Sequence, residues 1–147
     1  EAGIPVLTPP CGLACHLDAS RFVPHIPQHQ YPAGALAAAL YLASGVRSME
    51  RGTISMERDK DGKEVMADIE LTRIALPRRV YTISHIEYIV DRLEWLYAHR
   101  SLIGGLRFVE EPPVLRFFLG KLAAIDDWGA DLCEACKQEV GEEGAVG

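Results

Sequence analysis

Between His85 and Arg100 the apolar residues Ile86, Ile89, Val90, Leu93, Leu96 and Tyr97 recur at three- and four-residue spacing. At 3.6 residues per turn this gathers them on one face, which predicts a helix over 85–100 that must lay that face on an apolar partner. Ser84 and Glu87 have the S-x-x-E spacing in which hydroxyl and carboxylate cap first-turn amides, and this places the start of the helix. The partner surface has to be assembled from short pieces, because proline and glycine interrupt the rest of the chain. Residues 3–8 and 14–18 read as strands separated by Pro9, Pro10 and Gly12. Residues 33–44 are rich in Ala and Leu and predict a helix closed by Gly45. Residues 46–49 and 68–76 read as an antiparallel pair joined through a polar segment with an Asp61-Gly62 turn. Gly104-Gly105 ends the long helix, 106–110 is a further strand, and 114–125 is apolar-rich without a decisive period. Strands interleaved with helices in this way predict an α+β fold, a small antiparallel or mixed sheet packed against helices.

No apolar run approaches the roughly 20 residues of a membrane-spanning helix, and no basic stretch followed by an apolar block marks a leader. The chain starts at Glu1, so it reads as a piece of something longer. The net charge of −6 is unevenly placed. Residues 1–125 are neutral, whereas 126–147 carry seven acids against Lys137, so 1–125 is expected as the folded domain and 126–147 as an acidic, mobile tail. A neutral body offers no basic stripe for phosphates, which argues against nucleic acid as a partner. The cysteines read as thiols of a cytoplasmic protein.

Along 69–75, alternation puts Ile69, Leu71 and Arg73 on one face and Glu70, Thr72 and Ile74 on the other. Two readings of Arg73 stand: an edge arginine reaching water or an internal Glu, or a clamp whose planar fork takes a substrate carboxylate. Arg51 precedes Gly52 just past a strand, where sites are often built, although a surface ion pair of Glu50 or Arg51 is the plainer expectation. Phe117 and Phe118 read as core, and Arg78-Arg79 as a solvated strand exit. Cys133 and Cys136 form a C-x-x-C, and Cys11 and Cys15 lie beside His16; a composite zinc site from these is conceivable, but no local Cys or His completes either pair.

The order of several segments is more specific than any of these motifs. Arg21-Phe22, Pro24-His25-Ile26-Pro27, Ser44-Gly45-Val46-Arg47-Ser48-Met49-Glu50-Arg51-Gly52, Leu76-Pro77-Arg78-Arg79-Val80-Tyr81-Thr82 and Leu115-Arg116-Phe117-Phe118 together resemble the C-terminal part of the β-eliminating lyases, the family of tyrosine phenol-lyase and tryptophanase. The resemblance runs over about residues 3–123 and implies the small domain of a pyridoxal-phosphate enzyme of the aspartate-aminotransferase type. It further implies an aromatic amino acid as substrate (tyrosine, or tryptophan), a monovalent cation such as potassium, a tetrameric full-length protein and the large domain as partner.

Matched position by position, Arg73 corresponds to the arginine that holds the amino-acid carboxylate. Arg51 corresponds to the one that tyrosine phenol-lyases place near the phenol ring, and Phe117 and Phe118 to the aromatic pair that packs over it. Leu13 stands where the family has an active-site histidine. Lys60, Lys63, Lys121 and Lys137 match none of the family's cofactor roles, so the resemblance implies that the cofactor lysine lies upstream and that the 147 residues alone are inactive. The alternative is an interaction module descended from this domain, with the acidic tail as its contact element.

Overall fold

A computed structural model describes residues 2–9 and 12–141. The first three-stranded sheet holds β1 (Ala14–Asp18), β2 (Met49–Arg51) and β3 (Leu71–Ala75), antiparallel with β3 in the centre. A second sheet pairs β4 (Leu106–Glu110) with β5 (Lys121–Ala124), also antiparallel. The helices are α1 (Ala19–Phe22), α2 (Pro32–Ser44), α3 (Ile83–Ala98), α4 (Arg116–Leu119) and α5 (Trp128–Val140), so the α+β expectation holds.

The α2 helix is the centre of the molecule. Pro32 occupies its first turn, where a missing N–H costs nothing, and Gly45 closes it at φ 69°, a left-handed conformation that glycine reaches without a Cβ penalty. Its alanines keep it thin enough to touch α3, α5 and the strands β2 and β3, with Ala33, Ala35, Leu36, Ala39, Leu40 and Ala43 inaccessible. Of the face predicted on the long helix, Ile89, Leu93 and Leu96 are buried and Tyr97 is set edge-on against Phe22 at 4.9 Å, whereas Val90 is exposed.

Several expectations need correction. The α3 helix starts at Ile83, and its cap is Thr82 with His85, whose Nδ1 accepts the Thr82 amide at 3.1 Å; Ser84 lies inside the first turn and Glu87 beyond it. Residues 3–8 run beside β1 but form only an isolated bridge at Val6, since Pro5 and Pro9 have no N–H to donate. The strand expected at 46–49 is shifted to Met49–Arg51.

Part of the segment read as a mobile tail is a helix that packs one face on the core. Trp128, Leu132 and Cys136 stand one turn apart on α5 and are all buried, with the Trp128 indole donating to the Gly105 carbonyl at 3.1 Å and the Cys136 thiol to that of Ala43 at 3.3 Å. The acids occupy the other sides of this helix, so charge and burial coexist along one amphipathic element. Residues 142–147 of that segment lie outside the described residues.

Candidate substrate-binding face

The pairing of the first sheet decides where the arginines stand. Directly opposed residues of antiparallel strands share a face. Met49 opposes Arg73, Arg51 opposes Leu71, and His16 opposes Arg73 from the other side. Arg51 and Arg73 therefore project from the same face as diagonal neighbours, a relation that sets Cα atoms about 7–8 Å apart.

The parity read from the sequence holds, but the faces are reversed in depth. Glu70, Thr72 and Ile74 point into the core, whereas Ile69 is 52% exposed and Arg73 half-buried, so Arg73 is not enclosed behind an apolar row. Arg51 is exposed at the end of β2. No hydrogen bond or ion pair engages either guanidinium among the described residues. Two planar cations, unmatched and on one surface, are suited to an anionic group or a polar ring substituent.

The aromatic pair is placed by a different part of the molecule. Phe117 and Phe118 lie on α4 with their rings edge to face at 4.9 Å; Phe117 lines an apolar groove with Gly34, Ala38, Leu106, Leu122 and Trp128, and Phe118 is 74% exposed. Phe117 is thus partly core, as the composition implied, while Phe118 is not. Neither Arg51 nor Arg73 lines that groove, so the four residues do not share one cavity.

What connects them is Arg116, whose role the sequence reading missed. It is 1% exposed, the most deeply buried cation in the molecule. Its Nε donates to the Met56 carbonyl at 2.6 Å and its Nη2 to that of Thr53, while ion pairs reach Glu64 at 2.6 Å and Glu111 at 3.0 Å. Glu64 also accepts the Tyr31 hydroxyl at 2.8 Å, and Glu111 is held by a two-point contact from Arg58, both bonds 2.7 Å. Arg116 thereby ties the helix of Phe117 and Phe118 to the turn that follows Arg51. Burial works against its charge, but the bonds to Glu111 and Glu64 outweigh it and push the guanidinium further up. Burial, the bond to Glu64 and that group's charge push Tyr31 up to about 12.

Glu50, expected in a surface ion pair, is instead 7% exposed on the core side of β2. Its carboxylate accepts the Ile54 amide at 3.1 Å and the Ser55 hydroxyl at 2.6 Å, closing the turn after Arg51. Leu13, at the position of the missing histidine, is half-exposed, and its carbonyl accepts the Leu76 amide at 2.7 Å. Arg78 and Arg79 are exposed. Of the cysteines weighed for zinc, Cys15 is on β1 and Cys133 and Cys136 on α5, with Cys136 in the core; Cys11 lies outside the described residues, among which no group of three or more His, Cys, Asp or Glu comes together.

No protein-family model matches the chain. Individual relatives do. It is 50% identical over 126 residues to the tyrosine phenol-lyase of Symbiobacterium sp. (strain SC-1), covering 85% of this chain and 28% of that protein. The tyrosine phenol-lyase of Pasteurella multocida is 49% identical over 121 residues, 82% of this chain and 26% of that protein. The tryptophanase of Salinibacter ruber is 44% identical over 122 residues, 83% of this chain and 26% of that protein. The chain thus spans roughly a quarter of the length of the curated relatives it matches, and over that stretch it is similar to the C-terminal part of the tyrosine phenol-lyases and tryptophanases.

Proposed function

We propose that this chain is the C-terminal small domain of a carbon–carbon lyase that cleaves an aromatic amino acid, tyrosine in preference to tryptophan. The observation that carries the reading is the shared sheet face of Arg51 and Arg73, both without an internal partner. Arg73 takes the substrate carboxylate through two parallel N–H donors, which both binds and orients it. Arg51 meets the ring. A phenol leaving group must lose its hydroxyl proton and gain one on ring carbon, and a guanidinium beside the oxygen stabilises the phenolate-like charge that develops. Indole has no such oxygen, and a guanidinium against its apolar edge is left unsatisfied. Phe117 and Phe118 exclude water from the ring.

Pyridoxal phosphate accompanies the family, and in this reading it is held outside the present chain. Lys60, Lys63, Lys121 and Lys137 are all exposed, and the apolar groove beside Phe117 has no cationic group to receive a phosphate. In this proposal the cofactor and any potassium ion belong to the family's large domain, and the present chain supplies contacts to substrate only. Homotetrameric assembly and a cytoplasmic location belong to the same proposal. The matching tryptophanases support a second reading, indole release from tryptophan; Arg51 weighs against it.

The test is to purify the full protein containing this chain and supply tyrosine or tryptophan. Pyruvate, ammonia and phenol in equal amounts from tyrosine are expected. No pyruvate from either amino acid would overturn the proposal.

A further inference from the structure

On the core side of the strands that carry Arg51 and Arg73 lie two carboxylates for which the proposed reaction has no use. Glu50 opposes Thr72, which sets Glu70 diagonally across from it on the inner face. Glu50 is 7% and Glu70 1% exposed. Gly52 is wedged against both: a Cβ there would overlap Glu70 Oε2 and lie 2.9 Å from Glu50 Oε1. This close approach is open only to glycine.

Glu70 Oε1 accepts the Thr53 amide at 2.9 Å, the Thr53 hydroxyl and the Gln28 side-chain amide at 3.2 Å, whereas Glu70 Oε2, facing Gly52, has no protein partner. Glu50 is held by Ile54 and Ser55. No ion pair reaches either carboxylate among the described residues. The guanidinium that reaches this turn, Arg116, is paired with Glu64 and Glu111, and no cationic side chain lines the groove beside Glu50. Two carboxylates sharing a site without a cation cannot both ionise cheaply.

We propose that Glu50 holds a proton against the neighbouring Glu70 carboxylate, and that this proton keeps the 51–55 turn closed and so fixes Arg51 on the opposite face. Burial pushes Glu50 up from the usual carboxylate range and the Glu70 charge adds to this, against the Ser55 bond and the backbone amides of Gly52 and Ile54. Loss of the proton places a second charge beside Gly52, and repulsion loosens the turn whose first residue is Arg51. Glu50 is thus a positioning residue. The proton on Glu50 stands without the proposed function; the effect on substrate rests on it.

The experiment uses the full protein and its Glu50→Gln variant, an amide that mimics the protonated acid. Infrared spectroscopy in heavy water at about pH 6, above the ordinary carboxylate range, should show one protonated carboxyl band in the parent that E50Q abolishes. In the parent, KM for the aromatic amino acid should rise as pH climbs through the titration of Glu50, about tenfold for each pKa unit by which turn closure favours the proton. In E50Q that rise should be absent. A parent without the infrared band, or a pH profile of KM that E50Q leaves unchanged, would overturn the proposal. If E50Q does not fold, the parent band alone decides the proton, and a Glu50→Asp variant that folds decides positioning by whether its KM profile shifts. If the protein releases neither phenol nor indole, the functional reading fails while the infrared band still decides the proton.

Discussion

Arg116 and the pair Arg51–Arg73 are the same residue type placed in opposite circumstances. Arg116 is sealed in the interior with every direction of its fork answered, by two carbonyls, Glu64 and Glu111. Arg51 and Arg73 stand on a sheet face with no answering group among the described residues. A buried charge must be satisfied internally before the fold can form, so Arg116 has no capacity left for a ligand. An unpaired one retains its full donor set. The contrast separates an arginine that builds the molecule from arginines that the molecule presents.

The largest effect that would break this contrast is on stability. Arg116→Met strands two carboxylates and two carbonyls, and should cost about 3–5 kcal/mol in denaturant unfolding. A change below about 1 kcal/mol would mean that the network around Arg116 is not structural. Next in size is Arg73→Ala. It should lower kcat/KM for the amino acid by about 2–4 kcal/mol through loss of a charge-assisted two-point contact. The same variant should alter unfolding by no more than about 0.5 kcal/mol, because nothing in the fold depends on that guanidinium.

The smallest effect sharpens the structural side. Glu111 is held below the usual carboxylate range, first by its bonds to Arg58, then by Arg116. A lowered carboxyl contributes stability that is present above its unfolded value, about 4.5, and is lost as pH falls through the folded one. Arg58→Ala should therefore cost about 0.2–1 kcal/mol near neutral pH, discounted for solvent, with the difference vanishing in acid. An undiminished difference below the titration range would assign the effect to packing.

Much of the fold was legible because strong local signals agreed. The α2 helix has alanine propensity and a closing glycine, and α3 has six apolar positions in period. In α5, segment composition concealed the period: seven acids over 126–147 masked Trp128, Leu132 and Cys136 at four-residue spacing, a signal that was present in the sequence. The site was legible in part. Alternation gave the partners of Arg73 on its face, but which face meets the core depends on α2 lying beneath Thr72, whose hydroxyl donates to the Ala33 carbonyl at 2.9 Å. That contact joins residues 39 apart and leaves no mark in a local window. Arg116 was hidden for the same reason: its partners at Thr53, Met56 and Glu64 are brought to it only by the tertiary fold.

The central claim is that the face carrying Arg51 and Arg73 grips an aromatic amino acid whose ring bears a hydroxyl. The most direct measurement compares phenol release from tyrosine with indole release from tryptophan by the full protein and by its Arg51→Ile variant. Phenol release should dominate in the parent, and Arg51→Ile should reduce that preference by about 10- to 200-fold while unfolding is unchanged. Indole release dominating with Arg51 in place would contradict the account and make tryptophan the substrate.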